Sequence, residues 1–198
     1  TQQGGATGLP PMLLPLQARG LRLKNRILVS PMATYSAIDG LPQDFHLVHL
    51  GARALGGAAM VFVEMTSPTA QGRITPGCTG LWNDEHAEHW RRIVEFVHAS
   101  SNARICLQLG HSGRKARRFR PWEGGAPLVQ SPAITDWEAW ELVAPSAEIG
   151  DAGDPMPRAL TRDEIPQVVQ HWADAARRAD AAGFDVLEIH GAHGYLIH

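Results

Sequence analysis

A chain of 198 residues, 44% hydrophobic and 19% charged, has ordinary globular composition and enough length to bury one sizeable core. Its net charge of −2 gives no electrostatic ground for a nucleic-acid partner or for an anionic membrane surface. No apolar run reaches the roughly 18 residues of a membrane helix and no signal-peptide pattern opens the chain, so no membrane partner is expected.

Residues 1–13 begin Thr1-Gln2-Gln3-Gly4-Gly5-Ala6-Thr7-Gly8, which is polar and glycine-rich, and are expected to form a flexible terminal segment. An opening threonine reads as a fragment or a processed product. From Leu16 to Lys24 apolar and polar residues alternate around Gly20, which predicts a β-hairpin closing one end of a sheet. Arg26 to Ser30 predicts a first strand. Phe45 to Leu55 follows as a helix, stopped by Gly56-Gly57. Ala59 to Glu64 predicts a second strand, and Glu85 to Ala99 a helix with Trp90, Ile93, Val94 and Val97 on one face. Arg104 to Leu109 predicts a third strand. The segment from Gly110 to Pro157 has no long periodic pattern and holds Trp122, Trp137 and Trp140 among prolines and glycines. So long a loop reads as a functional excursion or lid. Thr161 and Glu164 form a capping-box pattern ahead of a third helix, Gly183 stops it, and Asp185 to His190 predicts the fourth strand. The two cysteines sit far apart, Cys106 within the third strand. No disulfide framework is suggested, which points to a reducing cytoplasm.

Short, largely apolar strands alternating with helices imply right-handed crossovers and a parallel sheet of class α/β. Four such units make half of a closed barrel. In such folds the ligand site lies at the C-terminal strand ends. The first strand delivers Ser30, Pro31, Met32, Ala33, Thr34 and Tyr35 there; the second delivers Glu64, Met65 and Thr66. The third delivers Gln108, Gly110 and His111; the fourth delivers His190, His193 and Tyr195. Imidazoles, a phenol and an amide, with few carboxylates and no activated serine or cysteine, argue against glycoside hydrolysis and triad chemistry. His190 and His193 could instead be buried structural histidines. A metal role is not expected, because no third ligand has the right local spacing. The run Arg114 to Arg120 reads either as a solvated loop or as a contact for phosphates.

Several motifs carry a resemblance. Ser30-Pro31-Met32-Ala33-Thr34-Tyr35-Ser36, His46-Leu47-Val48-His49-Leu50-Gly51-Ala52-Arg53-Ala54, Gly72-Arg73-Ile74, Leu81-Trp82-Asn83-Asp84, Gln108-Leu109-Gly110-His111-Ser112-Gly113-Arg114-Lys115-Ala116 and His190-Gly191-Ala192-His193-Gly194-Tyr195-Leu196 resemble the Old Yellow Enzyme family of flavin oxidoreductases, in its bacterial, thermophilic-like subgroup. The match runs from about Leu14 to His198. The resemblance implies a (β/α)8 TIM barrel of which residues 14–198 supply about the first four units, holding FMN at its mouth and reduced by NADPH or NADH. It implies that Ser30, Pro31, Met32, Ala33, Met65 and Gln108 line the flavin, that Tyr35, His190 and His193 bind substrate, and that Tyr195 donates a proton. The histidine pair would stabilise charge on a substrate oxygen as hydride reaches an activated C=C bond. An electron-poor alkene is the implied substrate. Gly72 to Trp82 also resembles the reductase domain fused to monooxygenases of aromatic acyl-CoA thioesters, which makes an aromatic acyl-CoA the alternative. Ala33 stands where many subgroup members have cysteine, and Met65 is larger than usual at its position. Half a barrel lacks the later phosphate-binding loops and has open sheet edges, so a C-terminal half or a second copy in a homo-oligomer would complete it. A non-catalytic half-barrel needing such a partner is the remaining reading.

Overall fold

The computed structural model describes residues 8–132 and 134–198. Most of the polar, glycine-rich opening lies outside the described residues. A 3₁₀ turn at Pro11–Leu13 follows it, and the Met12 carbonyl accepts the Arg26 N–H at 2.8 Å.

Strands β1 (Leu16–Ala18) and β2 (Leu21–Leu23) form the expected antiparallel hairpin around Gly20. Four parallel strands follow in spatial order: β3 (Leu28–Val29), β4 (Met60–Thr66), β5 (Arg104–Leu109) and, farther along the chain, β8 (Val186–Ile189). Helices α1 (Asp44–Leu55), α2 (Asp84–Ser100) and α3 (Ile165–Ala181) provide the crossovers.

Two apolar layers hold this together. Val61, Val63, Ile105, Leu107 and Leu109 point outward against Leu50, Ala54, Trp90, Val94, Val97, Ala175 and Ala179 of the helices. Their alternate neighbours Met60 and Cys106 point inward, and Leu23 of the hairpin plugs that interior together with Leu16, Leu21 and Phe62. The period of two along each strand separates the two layers. Trp90 is fully buried, and its indole N–H finds the Gly80 carbonyl at 3.2 Å, so the largest core side chain leaves no polar atom unpaired.

Three local expectations change. The first strand shrinks from Arg26–Ser30 to two residues, because only Leu28 and Val29 find register partners, in Met60 and Val61. The third helix starts at Ile165. The Glu164 carboxylate does reach back to the Thr161 N–H at 2.7 Å, but it is also gripped by Arg158, so the turn before the helix serves an ion pair and not a reciprocal cap. The excursion contains one short strand, β6 (Val143–Ala144), which pairs in parallel with β7 (Arg158–Ala159) just beyond its end.

The basic run is neither a solvated loop nor an unengaged phosphate cradle. Arg114 bonds Glu148 and Ser146, and Arg117 stacks on Trp137 with its guanidinium 4.1 Å from the ring centre. Arg118 pairs with Asp154 at 2.7 Å, and Arg120 holds the Tyr35 carbonyl and Glu123. Its arginines fold the excursion. Arg73 anchors the excursion from the barrel side, lying 4.3 Å over Trp140, bonding the Ala70 carbonyl and pairing with Asp136.

Both flanks of the half-barrel expose apolar side chains. On one flank Val48 of α1 is 69% exposed and Leu28 of β3 is 44% exposed; on the other, Ile189 is 65% and Val169 61% exposed. No helix among the described residues is long and apolar enough to cross a membrane.

Candidate active site

The chain that leaves β8 makes a tight loop pinned to the exit of β5. His190 N–H donates to the Leu109 carbonyl at 2.8 Å, and Leu196 N–H donates to the His111 carbonyl at 3.0 Å. Between them His193 (φ 61°) and Gly194 (φ 70°) are both left-handed. Gly194 takes that conformation without a Cβ penalty, whereas His193 is held in it by the pinned ends. The result brings three side chains together. The His190 and His193 rings are 4.8 Å apart, His190 and Tyr195 4.9 Å, and His193 and Tyr195 5.9 Å.

Protonation states follow from the contacts. The Ala192 N–H donates to His190 Nδ1 at 3.3 Å, which leaves the proton on Nε2, facing away from the loop. Burial lowers the His190 pKa and the adjacent His193 lowers it further, so the ring is a neutral donor at pH 7. Burial pushes the Tyr195 phenol up to about 12, with Tyr35 and Cys78 adding to the shift. That phenol keeps its proton across the physiological range. Burial also raises the Tyr35 phenol, with Cys78 and Glu64 adding to the shift.

Beside the loop a cavity of about 510 Å³ is lined by Pro31, Gln108, Glu188, His190 and His193. Gln108 and Glu188 are register partners on β5 and β8. Gln108 is 8% exposed, and its carboxamide bonds no described residue; Glu188 Oε2 is buried without a partner among the described residues. Buried polar atoms are normally satisfied. Glu188 Oε2 calls for a donor, and the Gln108 carboxamide lines the same cavity and can both donate and accept.

The predicted residues do not all gather equally. Pro31, Gln108, His190 and His193 line the cavity, with Tyr195 against the histidines. Met65 is buried above Gly110, where a Cβ would lie 2.4 Å from Met65 Cγ; the glycine makes room for the thioether. Ser30, Met32 and Ala33 are exposed at the end of β3, and Met32 lies with Thr34, His46 and Glu64 around a separate small cleft. Tyr35 is left-handed at φ 51°, its carbonyl held by Arg120 Nε at 3.1 Å and its ring met edge-on by Trp122 at 5.9 Å. Arg120, Trp122 and Cys78 were not legible as site residues. They come from distant segments, and no spacing in the chain ties them to Tyr35.

A family model described as NADH:flavin oxidoreductase / NADH oxidase matches residues 11–198. The chain belongs to that family. It is 41% identical over 201 residues to an NADH:flavin oxidoreductase of Gibberella zeae, covering 100% of this chain and 47% of that protein. It is 38% identical over 189 residues to the NADPH dehydrogenase of Bacillus subtilis, covering 94% of this chain and 50% of that protein. Among solved structures, morphinone reductase in complex with tetrahydroNAD superposes with a TM-score of 0.77 at 31% identity, over 95% of this chain and 51% of that one. The Old Yellow Enzyme from Pichia sp. AKU4542 superposes with a TM-score of 0.79 at 26% identity, over 94% of this chain and 47% of that one. This family chain thus spans about half the length of the relatives it matches, and its four parallel strands are half of their TIM barrel.

Proposed function

We propose that this chain forms the N-terminal half of an FMN-dependent NAD(P)H oxidoreductase that reduces an activated C=C bond in a small electron-poor alkene. The observation that carries the reading is the clustering of His190, His193 and Tyr195 beside a cavity lined by both histidines, by Gln108 and by Glu188, whose Oε2 has no partner among the described residues. The pyrimidine edge of an isoalloxazine carries both donors and acceptors, so its chemistry fits those two residues. FMN supplies, when bound, the relay that carries hydride between nicotinamide and substrate.

The chain's own residues do the rest. His190 offers Nε2–H as a neutral donor, and His193 stands beside it, so a substrate carbonyl or nitro oxygen between them gains charge stabilisation. Tyr195 holds a proton at neutral pH within reach of the same space and can release it to carbon as charge builds on that oxygen. The exposed apolar flanks support a completing partner, either further polypeptide or a second copy, that buries them.

The test is the visible spectrum and fluorescence of the purified chain titrated with FMN. A perturbed, quenched flavin that Gln108→Ala weakens about tenfold supports the reading. A folded chain that leaves FMN free in solution, or binds it equally well as Gln108→Ala, overturns it for this chain.

A further inference from the structure

Between the sheet and α1 lies a buried charged group that the chemistry above does not use. Glu64 is 5% exposed. It sits where three steps along β4, from Val63 to Thr66, match two along β5, from Leu107 to Leu109. That is a bulge of one residue, a device that re-aims side chains near functional sites.

Three donors meet on the Glu64 carboxylate. The Thr34 backbone N–H reaches Oε2 at 2.5 Å, and the Thr34 hydroxyl donates to Oε1 at 2.7 Å. His46 Nε2 lies 3.0 Å from Oε1. The Gln43 N–H donates to His46 Nδ1 at 2.9 Å, which puts the imidazole proton on Nε2 and makes it the third donor. One carboxylate therefore joins the first turn of α1, the bulge of β4 and the segment after β3. A buried carboxylate on one element, with lone pairs filled from two others, fixes all three in register.

The segment it holds needs fixing. Thr34 directly precedes Tyr35, which is left-handed at φ 51° without being glycine. Such a backbone persists only where its surroundings over-determine it. The Arg120 guanidinium holds the Tyr35 carbonyl from outside, the Ser36 hydroxyl bonds the Thr34 carbonyl, and the Ala37 N–H donates to the Gly77 carbonyl. Glu64 anchors the segment through both the N–H and the hydroxyl of Thr34. Burial, then Cys78 and then Glu64 raise the Tyr35 phenol.

We infer that Glu64 is a positioning residue for the site: acting through Thr34, with His46 as its brace, it locks Pro31 to Tyr35 into the conformation that holds Tyr35 left-handed at the end of that segment. Its functional meaning rests on the flavoenzyme reading, but the lock itself does not.

Amide hydrogen exchange on the full chain tests the lock without any flavin. Glu64→Gln and Thr34→Val are expected to speed exchange in residues 32–37 about tenfold or more, while the core of α2 from Trp90 to Val97 keeps its protection. Thr34→Ser, which restores the hydroxyl, is expected to return the segment to wild-type exchange. Unchanged exchange in both disruptive variants, an increase spread equally over α2, or failure of serine to rescue would overturn the inference. Should Glu64→Gln not fold, the two Thr34 variants carry the test alone. In FMN-loaded protein the same Thr34→Val change is expected to raise KM for an enone about tenfold with kcat nearly unchanged. Absence of turnover in the wild-type protein would count against the flavoenzyme reading, and the exchange result would stand apart from it.

Discussion

Acidifying this protein from pH 7 to pH 5 is expected to destabilise it, with His111 responsible for about 2 kcal/mol of the loss. His111 is 4% exposed at the exit of β5 and accepts the Gly113 N–H on Nδ1 at 3.1 Å. Burial first, and then His171, lower its pKa from 6.5 to about 4. The sign follows from linkage. Between pH 6.5 and about 4 the unfolded chain binds a proton that the folded chain refuses, so stability falls as pH falls through that window. The contribution is fully present above pH 6.5 and is lost on approach to pH 4. A tenfold difference in proton affinity is worth about 1.4 kcal/mol, which gives about 3 kcal/mol at the low end and about 2 kcal/mol at pH 5. The assay is urea unfolding at pH 7 and pH 5 for wild type and His111→Gln. The variant starts less stable at pH 7, having lost a shaped acceptor for Gly113, but is expected to lose about 2 kcal/mol less on acidification. Equal acid losses in the two proteins would refute the reasoning.

Two further substitutions probe what holds the site. Arg73→Met keeps the stem between Trp140 and Trp82 but removes the bonds to Asp136 and Ala70, and is expected to cost about 3 kcal/mol. Limited proteolysis should then cut first within residues 120–157, and a cleavage pattern like wild type would contradict the anchoring role. Gly110→Ala places a methyl 2.4 Å from Met65 Cγ and 3.3 Å from His190 Cβ, driving the thioether out of its slot. About tenfold weaker FMN binding with a stability cost of about 1–3 kcal/mol is expected by titration and thermal melting, and undiminished affinity would show that Met65 has room elsewhere.

Much of the architecture was legible because it depends on local pattern. The apolar runs at Ala59 to Glu64 and Arg104 to Leu109 gave strands, and the hairpin around Gly20 and the stops at Gly57 and Gly183 stand where glycine punctuation put them. The capping pattern at Thr161 and Glu164 misled because sequence shows a carboxylate but not its competitors; Arg158, brought close by β7, claims it. The basic run misled for the same reason. Arg118 has a partner 36 residues away, in Asp154.

For the candidate site, the gathering of His190, His193 and Tyr195 was legible because they share one short loop, whose backbone alone brings them together. Gln108 was legible from its place in a strand. By itself the sequence determined the α/β alternation, the parallel order and the chemistry at the strand ends, since these follow from periodicities of two and 3.6 and from nearest neighbours along the chain. Only the tertiary structure decided that Glu64 meets Thr34 and His46, that Arg120 grips Tyr35, and that Trp122 meets the Tyr35 ring edge-on. Those contacts join residues far apart along the chain. Their hydrogen bonds and charges act over a few ångströms, a distance that only the packed fold sets.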